Sequence, residues 1–280
     1  MSEVFLDTSI AIARVVHSPE MKQRIADRIS KYQASVISLI VRQEFKRRLL
    51  KEAQYLLRQL NEKRSYVKVM RHVVDVLGPW QNRRRNICLE MLVLVHETAD
   101  DRELTERAIR ILRTLLRCGL ADLTNSINYE VTESECLCAQ YPVMEMVKYK
   151  RYDFGSDKCS KVSGGCGIER FLIAHQKELR LILDRLKGVT EKSDELQKSE
   201  AFIEAVLEDS SRARALDPCL TVGDLVIALE SIDVSAFYTL NRKESLHLSR
   251  VLQQDLIIRP KNPQHDDEVL LNSNEHWPDS

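Results

Sequence analysis

The opening of the chain constrains the fold most. A short apolar run over residues 4–6 ends on Asp7, and after two hydroxyl residues the apolar pattern resumes at Ile10. This pattern predicts a buried strand that turns directly into a helix, with Asp7 at the carboxyl end of the strand. In open α/β sheets, ligands bind just outside the carboxyl ends of the strands, so Asp7 is a candidate functional residue. The alternative is structural, because Asp is also a favoured N-terminal cap of a helix.

A second strand is predicted over residues 34–38. The residues before it, 18–31, have the pattern of a helix with Ser18 as its N-terminal cap and proline at the first helical position. A strand that follows such a helix is laid parallel to the first strand by a right-handed crossover. The sequence therefore predicts an α/β fold with a parallel sheet.

One long helix is predicted from residue 39 to about residue 63, because this stretch contains neither Gly nor Pro. Glu44 lies at the edge of its apolar face. Arg47 and Arg48 follow at i+3 and i+4, so an ion-paired or solvated glutamate is the structural alternative to a functional one.

A further group of candidate residues lies near the end of the chain. Gly223 and Asp224 begin a predicted helix, and a carboxylate in the first turn of a helix is kept ionised by the helix N-terminus. The spacing of Thr221 and Asp224 also fits a capping box, which is the structural alternative. The next predicted strand, residues 234–240, leads directly into Asn241.

The composition favours a large, helix-rich protein. Of the 280 residues, 44% are hydrophobic, which is enough for a substantial core. Only eight Gly and seven Pro occur, and long stretches are rich in Leu, Glu, Lys and Arg, as is typical of helices. Lys plus Arg number 42, as do Asp plus Glu, so any surface for nucleic acid must be local.

The sequence predicts a cytoplasmic protein. No segment approaches the run of about 18 apolar residues that a membrane helix needs, and no basic region precedes the first apolar stretch, as it does in a signal peptide. Seven cysteines, an odd number, in such a chain indicate reduced thiols rather than a disulfide framework.

Residues 51–215 are predicted to form a helical insert, which is far longer than a crossover in a compact α/β domain requires. Amphipathic stripes in the insert need an apolar partner, so it should pack as a lobe beside the sheet. Gly119 is expected to end one of its helices. The predicted helices of the insert cover residues 66–77, 84–98, 101–118, 168–186 and 193–207. After the insert, a short edge strand is predicted over residues 256–258, and residues 259–280 are predicted to form a polar, flexible tail.

Residues 130–167 are the least regular part of the insert, and they contain four cysteines. Four thiols in a segment with little core of its own suit a structural Zn²⁺ ion, which Cys binds tetrahedrally. The C-x-C spacing is not the usual paired CxxC, so buried thiols without metal are the alternative. The four residues are Cys136, Cys138, Cys159 and Cys166.

Two basic clusters in the insert are candidate contacts for RNA. Arg83–85 stand at a predicted helix start, where the helix dipole disfavours cations unless an external anion binds. Residues 148–152 interleave Lys and Arg with Tyr, and such segments contact phosphates and stack on bases. A solvated surface without a ligand is the alternative for both clusters.

The order of these features resembles the PIN-domain nucleases. The resemblance rests on Asp7 with its hydroxyl residues, the helix-borne Glu44, Gly223-Asp224, and the strand ending in Thr239-x-Asn241. It covers residues 1–50 and 216–258 and implies a PIN-like parallel sheet flanked by helices, with the insert between the two parts. By the resemblance, Asp7, Glu44 and Asp224 hold Mg²⁺ or Mn²⁺, Asn241 completes the catalytic set, and the activity is hydrolysis of phosphodiester bonds in RNA.

The last position departs from the family pattern. Many relatives carry a fourth acid there, in a Thr-x-Asp pattern, whereas Asn241 brings no charge and puts a second metal ion in doubt. Asp233 and Glu244 are nearby substitutes. The rival interpretation is a catalytically degenerate PIN-like protein that binds RNA, a protein partner or a second copy of itself through the insert.

Overall fold

The computed structural model describes residues 2–77, 82–95, 99–149, 151–155, 166–213, 215–258 and 269–271. Over these ranges the chain forms an α/β fold, in which helices flank a six-stranded, mostly parallel sheet. The strands are β1 (Glu3–Leu6), β2 (Ala34–Ser38), β3 (Tyr129–Val131), β4 (Met144–Met146), β5 (Arg151–Asp153), β6 (Ala236–Tyr238), β7 (Asp255–Ile258) and β8 (Val269–Leu271).

Fourteen α-helices lie within the same described ranges. A π-helical turn, Lys46–Leu50, joins α3 to α4 without a break. The helices are α1 (Thr8–Val16), α2 (Pro19–Ile29), α3 (Leu39–Phe45), α4 (Lys51–Lys63), α5 (Tyr66–Val76), α6 (Asn82–Val93), α7 (Asp101–Asn125), α8 (Leu137–Gln140), α9 (Ile168–Ala174), α10 (Gln176–Lys187), α11 (Asp194–Glu208), α12 (Pro218–Thr221), α13 (Gly223–Glu230) and α14 (Arg242–Val251).

The large sheet has the strand order β3-β2-β1-β6-β7-β8, and β4 pairs with β5 in a separate antiparallel hairpin. All neighbours in the large sheet are parallel except β7 and β8. The chain leaves β1 toward β2 and β3 and returns on the other side as β6 and β7. The point where strand order reverses, between β1 and β6, is the place where open α/β sheets bind ligands.

Several local predictions are confirmed. The run over residues 4–6 is a buried strand, and Asp7 caps the helix that follows it. Ser18 caps α2 through a hydrogen bond from Met21 N, with Pro19 at the first helical position. The strand over residues 34–38 has the predicted bounds and lies parallel to β1. At these places the helix cap, the spacing of apolar residues and the right-handed crossover all favour the same structure.

The insert is not all helical, contrary to the prediction. Within residues 51–215, β3 joins the large sheet, and β4 and β5 form the small hairpin. Asn128 aligns β3 on β2, since its side-chain oxygen accepts from Ser35 N at 2.7 Å and its own N–H donates to Ser35 O at 2.9 Å. The helix predicted over 168–186 is interrupted at His175, between α9 and α10.

A predicted helix end and a predicted edge strand are also wrong. Gly119 lies inside α7, where a Cβ atom would stand 2.7 Å from Leu115 Cδ1 and 3.4 Å from Leu50 Cδ2. This glycine therefore leaves room for the Leu115 side chain of its own helix and does not mark a helix end. Within the predicted tail, residues 269–271 form β8 against β7, so β7 is not an edge strand; the other residues of 259–280 lie outside the described ranges.

The helices of the insert pack as layers on the sheet half. α4 contacts α5, α6 and α7, whereas α10 contacts α11 and α14, and α1 contacts α6. Apolar side chains from the sheet and from the insert belong to one continuous core. Within the described ranges, no helix combines the length and apolar character needed to cross a membrane.

Candidate active site

Asp7 lies at the carboxyl end of β1, next to the end of β6. Its N–H donates to Tyr238 O at 3.0 Å, which extends the pairing of the two strands by one residue. Its side chain is 5% exposed and accepts from Thr8 N at 2.6 Å, and from Ser9 Oγ and Thr239 Oγ1 at 2.7 Å each. The capping interpretation of Asp7 is thus confirmed. The hydroxyl of Thr239, whose role was not predicted, also fixes the carboxylate to β6.

Glu44 is fully buried on α3, and its two carboxylate oxygens differ. Oε1 accepts from Arg48 Nη2 at 2.8 Å and from Arg47 Nη2 at 3.3 Å, which confirms the ion pairs expected at i+4 and i+3. Oε2 has no hydrogen-bond partner among the described residues. An unpartnered buried carboxylate oxygen is costly, and a cation or a donor on a ligand would relieve that cost.

Asp224 is the second residue of α13, beside Glu44. A Cβ atom on Gly223 would stand 2.4 Å from Glu44 Oε1, so the Glu44 carboxylate lies directly against the backbone at the start of α13. Val222, not Thr221, occupies the N-terminal cap position, and no side chain caps the helix. The Thr221 hydroxyl instead donates to Leu216 O at 2.9 Å, so the predicted capping box is absent.

The three acids share one electrostatic environment, and we call Asp7, Glu44 and Asp224 the acid cluster. Burial, and then the carboxylates of Glu44 and Asp7, raise the pKa of Asp224 to about 7, while Arg48 and Arg83 act in the opposite direction. A neutral donor also reaches the cluster, because Asn241 Nδ2 donates to Asp224 Oδ2 at 3.3 Å. The structure therefore brings together all four residues that the sequence singled out.

Of the two proposed substitutes for a fourth acid, the structure describes the side chain of Asp233 alone. Asp233 is exposed and precedes β6, so it lies at the edge of the sheet opposite to Asp7. The side chain of Glu244 lies outside what the structure describes.

Two concave spaces meet at Asp224. A cavity of about 10 Å³, the room of a single water, is lined by Asp7, Asp224, Ser245 and Ser249 among others. A wider cleft of about 190 Å³ is lined by Glu44 and Asp224 and by cationic side chains. The cations are Arg48, Arg83 and Lys198. Lys198 had no signal in the sequence, because its position on α11 shows only in the folded chain.

The donor chemistry of the acid cluster suits a hard divalent cation, since Mg²⁺ and Mn²⁺ prefer carboxylate oxygen. The free oxygen of Glu44 and the raised pKa of Asp224 are the features that such an ion would relieve. In the part of the chain that the structure describes, however, no group of three or more His, Cys, Asp or Glu side chains is already arranged to hold a metal ion. Binding at the acid cluster would require Glu44 and Asp7 to exchange protein partners for the ion.

The basic clusters differ from the prediction. Arg83 is exposed and lines the wider cleft, but Arg84 is paired with Glu52 at 2.6 Å and lies 4.6 Å from the ring centre of Tyr55. In the second cluster Tyr152 is buried, so its ring is not available to stack on a base. Lys150 and the side chain of Tyr149 lie outside the described residues.

The cysteine segment gathers three of the four predicted thiols and one thiol from outside the predicted group. Cys136 Sγ lies 4.0 Å from Cys219 Sγ, and Cys219 is in α12, outside the predicted group. Hydrogen bonds with Cys138, Cys166 and Cys219 raise the pKa of the Cys136 thiol. Cys159 lies outside the described ranges. We call Cys136, Cys138, Cys166 and Cys219 the thiol cluster.

Comparison with known proteins assigns no family to these features. No family model matches the chain, and neither a curated protein nor a solved structure matches it at a significant level. The functional conclusion therefore rests on the side chains described above.

Proposed function

We propose that this chain is a metal-dependent endonuclease of the PIN type, which hydrolyses phosphodiester bonds in RNA. The observation that carries the proposal is the convergence of three carboxylates from distant segments at the switch point of a parallel sheet. Asp7 and Glu44 are buried and Asp224 is half-buried. Burial, together with the charges of Glu44 and Asp7, raises the pKa of Asp224 to about 7. Clustered carboxylates repel one another, so a protein gains nothing from such a group unless a cation or proton binds there.

The residues of the acid cluster have distinct roles in this proposal. Asp7 is held rigidly by Thr8 N, Ser9 and Thr239, and it is the fixed ligand. Glu44 offers its free oxygen, and Asp224 completes the set when it loses its proton. When bound, Mg²⁺ or Mn²⁺ polarises the phosphoryl group and lowers the pKa of the attacking water. Asn241 holds Asp224 in place and brings no charge, so the proposal is limited to one metal ion.

In this proposal RNA binds in the wider cleft. Arg83 and Lys198 are exposed at its wall, and Arg83 lies close enough to Asp224 to lower the pKa of that carboxyl. Cations beside a cluster of acids are what a polyanion needs, since they attract phosphate to a site that would otherwise repel it. RNA rather than DNA is taken from the family resemblance and is part of the proposal.

The decisive experiment measures cleavage of a mixed RNA pool with Mg²⁺, with Mn²⁺ and with chelator. We expect cleavage with either ion, and a loss of about a hundredfold or more in Asp7→Asn, Glu44→Gln and Asp224→Asn, which is the scale of losing one charge-stabilising group. Glu106→Gln is the matched control, because Glu106 also pairs with an arginine one helical turn away, Arg102, but is exposed on α7. Its cleavage rate should equal that of the unmodified chain.

A protein that binds RNA or a protein partner without catalysis is the second candidate. Two observations favour it: Glu44 is already paired with Arg47 and Arg48, and Asn241 stands where many PIN-domain nucleases carry an acid. The acid cluster would then be a structural ion-pair network. RNA binding without metal-dependent cleavage, or full cleavage by all three acid variants, would replace the first proposal with this one.

A further inference from the structure

The thiol cluster joins three segments that are far apart in the chain. Cys136 and Cys138 flank the start of α8, Cys166 precedes α9, and Cys219 lies in α12. Cys136, Cys138 and Cys219 are buried, whereas Cys166 is half-buried with its Sγ 4.0 Å from Glu135 O. All four are free thiols, so no disulfide accounts for their proximity.

The sulfur atoms of Cys136 and Cys219 have the separation of two ligands of a tetrahedral metal site, although the four thiols do not yet surround a common centre. With Zn–S bonds of about 2.3 Å, two sulfurs on a tetrahedron are about 3.8 Å apart. Cys136 Sγ and Cys219 Sγ are 4.0 Å apart, although 83 residues separate them in the sequence. The hydrogen bonds that raise the pKa of Cys136 place Cys138 and Cys166 beside the same sulfur.

A buried cation stands beside the cluster. Lys46 is 1% exposed, and its Nζ donates to Cys138 O at 2.6 Å, to Ala139 O at 3.1 Å and to Tyr141 O at 2.9 Å. Four thiolates around Zn²⁺ carry a net charge of about −2, which a buried site tolerates better when an ammonium is fixed nearby. Arg47 adds a second positive charge, because its Nη1 donates to Cys219 O at 3.0 Å.

We propose that Cys136, Cys138, Cys166 and Cys219 bind a structural Zn²⁺ ion. The four thiols lose their protons on binding and turn from their hydrogen bonds toward the common centre. Soft sulfur ligands select Zn²⁺, Cu⁺ or iron–sulfur clusters over Mg²⁺ or Ca²⁺, and a closed set of four cysteines is a structural zinc site. The ion ties the segment around α8 to α12, five residues before Asp224. This site is independent of the proposed nuclease activity.

The test uses the full chain purified under reducing conditions without a metal-chelating column. Metal analysis should find about one zinc per chain in the unmodified protein. The substitutions Cys219→Ser and Cys166→Ser should each weaken zinc binding in chelator competition by about a hundredfold or more, since loss of a ligand exceeds the 10- to 100-fold effect of losing an outer partner. Cys118→Ser is the matched control, because Cys118 is exposed on α7.

Cobalt supplies a second readout that does not depend on how well the variants fold. Co²⁺ added to metal-free unmodified protein should give the visible absorption of a tetrahedral thiolate site, and Zn²⁺ should bleach it. Absence of zinc, together with no cobalt spectrum in reduced unmodified protein, would overturn the proposal. So would bound iron with sulfide, a disulfide between Cys136 and Cys219 in freshly reduced protein, or undiminished zinc affinity in Cys219→Ser.

Discussion

The acid cluster and the thiol cluster both gather ionisable side chains in the interior, but the groups that bond to these side chains differ. Each carboxylate of the acid cluster already has protein partners, which are backbone N–H groups, hydroxyls, arginines or the amide of Asn241. Hydrogen bonds among the thiols raise the pKa of Cys136, and burial beside this cluster raises the pKa of Glu230 to about 8. The carboxylates of the acid cluster therefore have protein partners without an ion, although Asp224 keeps a proton up to about pH 7, whereas the raised pKa of Cys136 favours its protonated form until a cation binds.

This difference predicts two kinds of metal binding. An ion at the acid cluster competes with arginines and a proton, so it should be weak and exchangeable, as Mg²⁺ sites are. An ion at the thiol cluster replaces only protons, so it should be tight and retained through purification. Arg47 contacts both clusters, since its Nη2 donates to Glu44 Oε1 and its Nη1 to Cys219 O. The π-helical turn that begins at Lys46 thus carries side chains to both places, and such turns are frequent at functional sites.

Replacing Lys46 should have the largest effect on stability. Lys46→Met leaves the carbonyls of Cys138, Ala139 and Tyr141 without their buried donor, and unsatisfied groups of this kind cost about 1–3 kcal/mol each. We expect the free energy of unfolding to fall by about 3–5 kcal/mol. Urea unfolding at pH 7.5 measures it, with Lys187→Met as the control, because Lys187 pairs with Glu204 on the surface.

The Lys46→Met variant should also change metal binding at the thiol cluster. Zinc affinity should fall with the loss of the ammonium, because the net negative charge of the thiolates is then less compensated. A variant that unfolds like the unmodified chain, or that binds zinc more tightly, would contradict the role given to Lys46.

The parts of the fold that the sequence predicted are those encoded locally. The cap at Ser18, the apolar run before Asp7 and the i+3 and i+4 arginines after Glu44 each fit within one helical turn or one strand. Their structural consequence needs no information from distant residues. The position of Asp224 in a first helical turn was predictable for the same reason.

The parts that were missed depend on distant contacts. β3 and β8 are three residues long, which is too short to show an alternation of apolar and polar residues. Each forms only because a partner strand is present. Gly119 has the pattern of a helix end, but α7 continues past it to Asn125. Cys219 joins the thiol cluster across 83 residues, and nothing in C-x-C spacing indicates which fourth cysteine will be near. Tertiary context decides such cases over local propensity.

Replacing Asp224 should have an intermediate effect that depends on pH. The pKa of Asp224 is about 7 in the folded chain against an ordinary 3.8, so the folded state keeps a proton that the unfolded state releases. The stability of metal-free protein should therefore fall as pH rises from about 4 to 7, and Asp224→Asn should remove this fall. At pH 8 the variant should be more stable by about 2–4 kcal/mol, since each unit of pKa difference is about 1.4 kcal/mol.

Thermal melts from pH 4 to 9, with and without Mg²⁺, measure this difference. Mg²⁺ should stabilise the unmodified chain above pH 7 and progressively less below it, because the proton competes for Asp224. The variant should gain little from Mg²⁺ at any pH. Parallel melting curves for the two proteins across this range would show that Asp224 does not carry the raised pKa.

Replacing Gly223 should have the smallest effect and the most specific one. A Cβ atom on Gly223 would meet Glu44 Oε1 at 2.4 Å, so Gly223→Ala must displace the carboxylate from Arg47 and Arg48. We expect a net loss of about 1–2 kcal/mol, because overpacking costs about 1–3 kcal/mol and replacing a glycine returns about 0.4–1 kcal/mol of chain entropy. Gly188→Ala is the control, since the atom nearest to its added Cβ would be Arg185 O at an ordinary 3.5 Å. In a Glu44→Ala background the colliding oxygen is gone, so the same Gly223→Ala change should become neutral or stabilising. Equal costs of Gly223→Ala in both backgrounds, measured by urea unfolding, would show that Glu44 does not lie against α13 and would separate it from the acid cluster.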